Sequence, residues 1–198
     1  LLSIDKLSSD NPKRAIKQLD SLKAEMQTAP EHEQMYYQLL RIKAADKAYI
    51  DHTSDKEIRK LLDYYESAGS DKSLLAEVYY YAGSVFRDLN DAPQALEYFQ
   101  KALDALSTDG NITLKSNIYN QSAHLFLYQN LYAEALKMFK ESYICDSIAN
   151  DSISVIYSLR DIAFTYDFWN EHYLSKAVYY NDYAYDLYRR NCRSAAVH

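Results

Sequence analysis

The stretch AEVYYYAGSVFRDLNDAPQALEYFQKALDAL, residues 76–106, decides how the rest of the chain is read. Apolar residues recur at helical spacing on both sides of Asn90-Asp91, which predicts two amphipathic helices joined by a tight turn. The small pair Ala82-Gly83 sits midway along the first helix, and Ala95, Phe99 and Ala102 form a ladder along the second. Such a pair cannot bury both apolar faces alone, so it implies neighbours built like it. The stretch therefore predicts a stacked helical repeat, an architecture suited to holding other molecules.

The ladder recurs as Ala135, Phe139 and Ser142, and more loosely as Ala15, Leu19 and Leu22. Degenerate copies are Ile58, Leu62 and Tyr65, and then Ala177 and Ala184 with Asn181 at the aromatic place. The copies start at 15, 58, 95, 135 and 177, a repeat of about forty residues with loops of variable length. Before each later ladder stands a large residue, a smaller pair and an aromatic on one stripe. These are Ile42, Ala45-Asp46 and Tyr49; Tyr79, Ala82-Gly83 and Phe86; Tyr119, Ser122-Ala123 and Phe126; Leu159, Ile162-Ala163 and Tyr166. Small residues let the neighbouring helix approach, and the aromatic fills the space beside them. The stacking residues expected are Ala82, Gly83, Phe86, Ala95, Phe99, Ala102, Ala123, Phe126, Ala135 and Phe139.

Helices are expected over 12–27, 31–50, 55–67, 73–89, 92–106, 112–129, 131–147, 151–168 and 173–190, with a short helical end before residue 8. Asn11-Pro12 and Asp91-x-Pro93 place a capping side chain and a proline at helix starts. Gly69 and Gly110, within the runs 67–70 and 108–111, fall just past helix ends. No segment alternates as a strand does.

Composition agrees. Only 3 Gly and 3 Pro occur in 198 residues, where average usage predicts roughly 14 and 10. A sheet-rich chain needs more Gly at its turns, so helices joined by short Asn, Asp and Ser loops are expected. No apolar run reaches the ~20 residues of a membrane span, so this segment does not insert into a bilayer. The net charge of −6, with acids and bases interleaved, makes nucleic acid a poor partner, because phosphate binding needs a concentrated basic face. Tyrosine is over-used, at 21 residues. It reads either as the gap-filler of repeat packing or as the lining of a binding surface.

The residues carry no sign of chemistry. Three isolated glycines make no phosphate loop. The five histidines, His32, His52, His124, His172 and His198, include no pair at the spacing of a helical metal site. Asp51-His52 and Glu171-His172 are loop neighbours with no identifiable nucleophile, and no serine sits in a nucleophile elbow. Cys145 and Cys192 form no metal or disulfide framework. No enzymatic activity, catalytic residue, metal site or cofactor is therefore expected.

These residues resemble the tetratricopeptide repeat along nearly the whole chain, most closely at Tyr79, Ala82, Gly83, Phe86, Ala95, Phe99 and Ala102. Tyr stands in place of the family's Trp, Ser107 stands near the place of its closing Pro, and the spacing is about forty rather than 34. The resemblance implies an all-α, right-handed α-α superhelix of antiparallel helix pairs, with first helices lining a concave groove. It implies a single domain over 1–198, about five repeats with the first incomplete. It further implies a non-enzymatic scaffold that binds a peptide or protein segment. By offset, the groove would be lined by Lys43, Lys47, Tyr80, Ser84, Arg87, Asn117, Asn120, His124, Tyr157, Arg160 and Phe164. This aromatic and amide surface with scattered positive charge suits an extended peptide or a carboxylate-bearing ligand, or is simply a solvated face. Lys47 stands where the family's chaperone-tail clamp has Asn, so that activity is not assigned.

The segments KAYIDHTSDKEI, LLDYYE and AEVYYYAGSVFRDLNDAPQALEYFQKAL also look like tetratricopeptide regions of bacterial exported lipoproteins and membrane-anchored regulators. That resemblance implies an extracytoplasmic location, periplasmic or membrane-anchored. It supplies the alternative function, the ligand- or partner-sensing region of a membrane-anchored transcriptional regulator. The terminal helix, with Tyr179, Tyr180, Tyr183, Tyr185 and Tyr188, has too short a tail to cover it. Repeat arrays need capped ends, so either the chain is a slice of a longer protein or this helix forms a homodimer.

Overall fold

The computed structural model describes residues 1–67, 69, 71–106 and 110–195. Expectations placed on Ser107, Ala68, Ser70, Thr108-Asp109 and the last three residues lie outside them. The protein is all-α, and no strand occurs among the described residues. The helices are α1 (Leu2–Asp10), α2 (Pro12–Met26), α3 (Glu31–Lys47), α4 (Lys56–Ser67), α5 (Lys72–Asp88) and α6 (Ala92–Ala105). They continue as α7 (Ile112–Tyr128), α8 (Tyr132–Ile148), α9 (Ser152–Trp169) and α10 (Leu174–Ala195), with one 3₁₀ turn at Glu171–Tyr173. The chain divides into two compact units, Leu1–Ala105 and Leu106–His198.

Caps explain where the helices begin. Side chains of Asn11, Asp71, Asp91, Asn111 and Asp151 accept from backbone N–H groups two or three residues on. They satisfy donors that a helix start leaves without an intrahelical partner. A recurrent asparagine explains where helices end. Asn90, Asn130 and Asn150 adopt φ of 59°, 59° and 55°, the left-handed conformation asparagine tolerates better than most side chains. The residue after each donates to the carbonyl five back: Asp91 to Phe86, Leu131 to Phe126 and Asp151 to Asp146. Asparagine thus does the work usually given to glycine, which is why three glycines suffice. Gly69 also has positive φ, at 61°.

In the first unit α1 and α2 pack on α3, α4 on α5, and α5 on α6. Ala82, Phe86, Ala95, Phe99 and Ala102 are all buried to 1% exposure or less. A Cβ built on Gly83 would lie 2.4 Å from two atoms of the Phe99 ring. Gly83 is therefore a steric requirement of the α5–α6 crossing. In the second unit α8 packs between α7 and α9, and α9 packs on α10. Ala123, Ala135 and Phe139 are fully buried, Phe126 is half-buried against the same cluster, and Ala177 joins it from α10. A buried polar seam also ties α8 to its neighbours: Asp146 accepts from Ser116 of α7 at 2.5 Å and from Ser158 of α9 at 2.6 Å.

Two local expectations are corrected. The helical end expected before residue 8 is present but runs on to Asp10 as α1, a helix of nine residues whose Ile4 and Ser8 are buried against α2 and α3. The third helix stops at Lys47 and not at 50. Tyr49, expected among the packed aromatics, takes φ 57° at the helix end and is 95% exposed. Ile50 donates to Ala45 and closes the turn there.

Candidate binding face

The first helices of the first unit, α1, α3 and α5, turn their charges on one another. Lys43 of α3 lies 2.6 Å from Asp5 of α1 and 2.7 Å from Glu77 of α5, with its side chain 13% exposed. Arg87 of α5 reaches Asp46 of α3 at 3.1 Å and its neighbour Asp88 at 2.7 Å. Asp88 also accepts from the backbone N–H of His52, whose Nδ1 lies 2.7 Å away. That anchors the α3–α4 loop to the end of α5. Burial works to raise the Asp88 carboxyl, but the bonds from His52 and Arg87 outweigh it and hold its pKa below the ordinary value.

Two expected groove residues are corrected. Tyr80 is 3% exposed and Ser84 is fully buried. Tyr80 packs edge-on to Tyr81 at 5.0 Å and lies 5.9 Å from Phe99. Burial pushes its phenol well above the usual range. The reason is that α5 is covered by α3, α4 and α6, and every residue from Tyr80 to Phe86 is buried. Neither side chain presents a surface to a partner. Lys47 is half-buried near the end of α3.

The second unit is arranged differently. Asn117, Asn120 and His124 are half-buried along α7. On α9 the exposed residues Ile153, Tyr157, Arg160, Phe164 and Phe168 follow spacings of four, three, four and four, so they share one stripe. Each apolar member is more than half exposed, between 51% and 61%. The Arg160 guanidinium stands 5.0 Å from the Tyr157 ring centroid, within cation–π range. It donates through Nε and Nη2 to Asp161 at 3.0 and 2.8 Å. His124 Nε2 lies 3.6 Å from the other Asp161 oxygen and links α7 to α9. Burial works to raise the Asp161 carboxyl, but His124 and Arg160 hold its pKa below the ordinary value. Phe164 and Phe168 lie 4.4 Å apart, and Tyr128, 79% exposed, stacks beside His124.

The structure places six of the residues expected from sequence on two helices of the second unit, Asn117, Asn120 and His124 on α7 and Tyr157, Arg160 and Phe164 on α9. The link between the two helices is His124 to Asp161. Sequence reasoning missed Ile153, Phe168, Tyr128 and Asp161. A signal for the first two was present. α9 carries a second apolar stripe beside the packed one of Leu159, Ile162 and Tyr166, and a surface helix normally has one.

No family model matches the sequence, and no curated protein matches it. Solved structures do resemble the fold. One is a putative kinesin light chain of Podosopora anserina with nearly identical TPR-like repeats, TM-score 0.68 at 10% identity, covering 96% of each chain. A second is BtubC (BKLC) from P. vanneervenii, TM-score 0.66 at 12% identity, covering 94% of this chain and 74% of that one. A third is MamA, TM-score 0.59 at 16% identity, covering 98% and 96%.

The chain is a TPR-like helical repeat protein.

At these identities the likeness establishes the fold alone. Among the described residues no group of three or more His, Cys, Asp or Glu side chains could hold a metal ion. Nor is any helix there long and apolar enough to cross a membrane.

Proposed function

We propose that this TPR-like chain is a non-enzymatic scaffold that captures a peptide or protein segment on the α7–α9 face of its second unit. The observation that supports this most is the stripe Ile153, Tyr157, Arg160, Phe164 and Phe168. Four apolar side chains stand open to water around one guanidinium. Exposed apolar residues in a contiguous row mark interaction sites more often than scattered ones do, and Tyr, Phe and Arg are favoured anchors of interfaces. An extended segment would lay apolar side chains on Tyr157, Phe164 and Phe168. It would direct a carboxylate or carbonyl at Arg160, with Asn117 and Asn120 as amide partners for its backbone. The first unit would stiffen the array, since Lys43 and Arg87 already have internal partners.

The test is selection of binders from a displayed library of random peptides, followed by titration of a selected peptide. The Tyr157→Ser/Phe164→Ser variant should bind it about 10–100-fold more weakly, in keeping with the loss of two hot-spot aromatics. Both side chains are exposed, so helicity should not change. Unchanged affinity in the folded variant would remove the second unit's face from the account.

A further inference from the structure

α10 carries a surface that repeats one buried elsewhere in the same unit. Stepping forward by the interval between the last two ladders, from Ala135 to Ala177, sets Leu136, Phe139, Tyr143 and Asp146 of α8 over Val178, Asn181, Tyr185 and Tyr188 of α10. On α8 three of these are buried and Tyr143 is half-buried, because α7 and α9 both pack on the helix. On α10 the matching residues are open: Val178, Tyr185 and Tyr188 are 50%, 58% and 56% exposed, and Asn181 is exposed. With Leu174, 55% exposed, and the exposed Cys192, they fall at alternating spacings of four and three. Leu174, Val178, Asn181, Tyr185, Tyr188 and Cys192 therefore form a heptad seam that no described helix covers.

Charges beside the seam say what covers it. Asp182 and Arg189 are both exposed and stand seven residues apart on the same flank. The other flank holds Ala177 and Ala184, buried against the rest of the unit. Flanking residues on the same side meet each other only when two such helices run antiparallel. The register that sets Tyr185 against Tyr188 of the second copy also sets Asp182 beside Arg189 of the second copy. Two-fold symmetry then makes the pair twice. A parallel arrangement places those charges beside the alanines and forfeits both pairs. We infer that α10 is a self-association surface, pairing antiparallel with α10 of a second copy of this chain. It lies on a different helix from the α9 stripe and does not depend on it.

The experiment is sedimentation equilibrium of residues 1–198 across micromolar concentrations. The wild type should form a reversible dimer. Asp182→Arg and Arg189→Asp should each weaken it about tenfold, because two attractive flank pairs become repulsive. The D182R/R189D double variant should regain wild-type association, and an equimolar mixture of the two single variants should form a mixed dimer. Both residue changes are on exposed positions, so helicity should hold, and capture of a selected peptide on α9 should be unaffected. In this register the two Cys192 Cα atoms are about 16 Å apart along the helix axis, beyond disulfide reach. A chain that stays monomeric, a double variant that does not regain association, or rapid Cys192–Cys192 crosslinking of the dimer would each overturn the inference.

Discussion

In the first unit the leading helices of each pair turn their polar side chains on one another. In the second they turn a row of aromatics and one arginine toward water. Lys43 is clasped between Asp5 and Glu77 and Arg87 reaches Asp46, whereas Arg160 is 59% exposed over Tyr157. Both units use the same packing device, a small residue against a buried phenylalanine. The difference therefore lies in the residues that packing does not fix. The leading helix α5 is buried all round from Tyr80 to Phe86, whereas α9 keeps an exposed stripe. Ion pairs link the leading helices of the first unit; exposed aromatics line α9 of the second.

The largest expected effect breaks the comparison at tyrosine. Tyr80→Ala should destabilise the protein by about 3–5 kcal/mol, as loss of a fully buried aromatic does. Tyr157→Ala should stay within about 0.5 kcal/mol. Urea denaturation followed by circular dichroism reads both, and similar losses would mean that the two faces are not distinct. Next comes the small-residue crossing. Gly83→Ala should cost about 1–3 kcal/mol through the Phe99 ring, offset in part by roughly 1 kcal/mol of helix propensity. A neutral or stabilised variant would show that Phe99 has room to move, as the Ala123–Phe139 crossing of the second unit already permits a methyl group.

Acid sharpens the comparison further. The Asp88 and Asp161 carboxyls have folded-state pKa values below their ordinary value, about 3.9 when unfolded. Their stabilisation is therefore complete above that pH and is lost as pH falls through the lowered folded values. Asp88→Asn should lower stability at neutral pH and flatten its decline below about pH 4. Tyr157→Ala should leave that slope unchanged. A slope that Asp88→Asn does not alter would remove the His52–Asp88–Arg87 link from the account. The smallest effect is at Tyr49, held at φ 57°. Tyr49→Asn should stabilise by about 0.5 kcal/mol, and a loss of stability would mean that its ring makes a contact of consequence.

The repeat was legible because small residues opposite aromatics are a steric demand that sequence states openly. Gly83 against Phe99 is the plainest case. Turns were legible as Asn and Asp, although their left-handed asparagines were not foreseen. The burial of Tyr80 and Ser84 was not read. Their helix runs Val-Tyr-Tyr-Tyr-Ala-Gly-Ser-Val-Phe without a charge, and an all-round apolar helix has no periodicity to mark a free face. Asp161 escaped for another reason. Its role depends on His124, thirty-seven positions earlier, and only the packing of α7 and α9 on α8 brings the two within reach.

Hydroxyl-radical footprinting with mass spectrometry tests the central claim most directly, because it reads the exposure of each aromatic side chain. Without a peptide, Tyr157, Phe164 and Phe168 should be oxidised readily, while Tyr80 and Tyr81 should be spared. Saturation with a selected peptide should protect the three α9 residues and leave the first unit unchanged. Protection of the first unit with α9 still fully reactive would contradict the account.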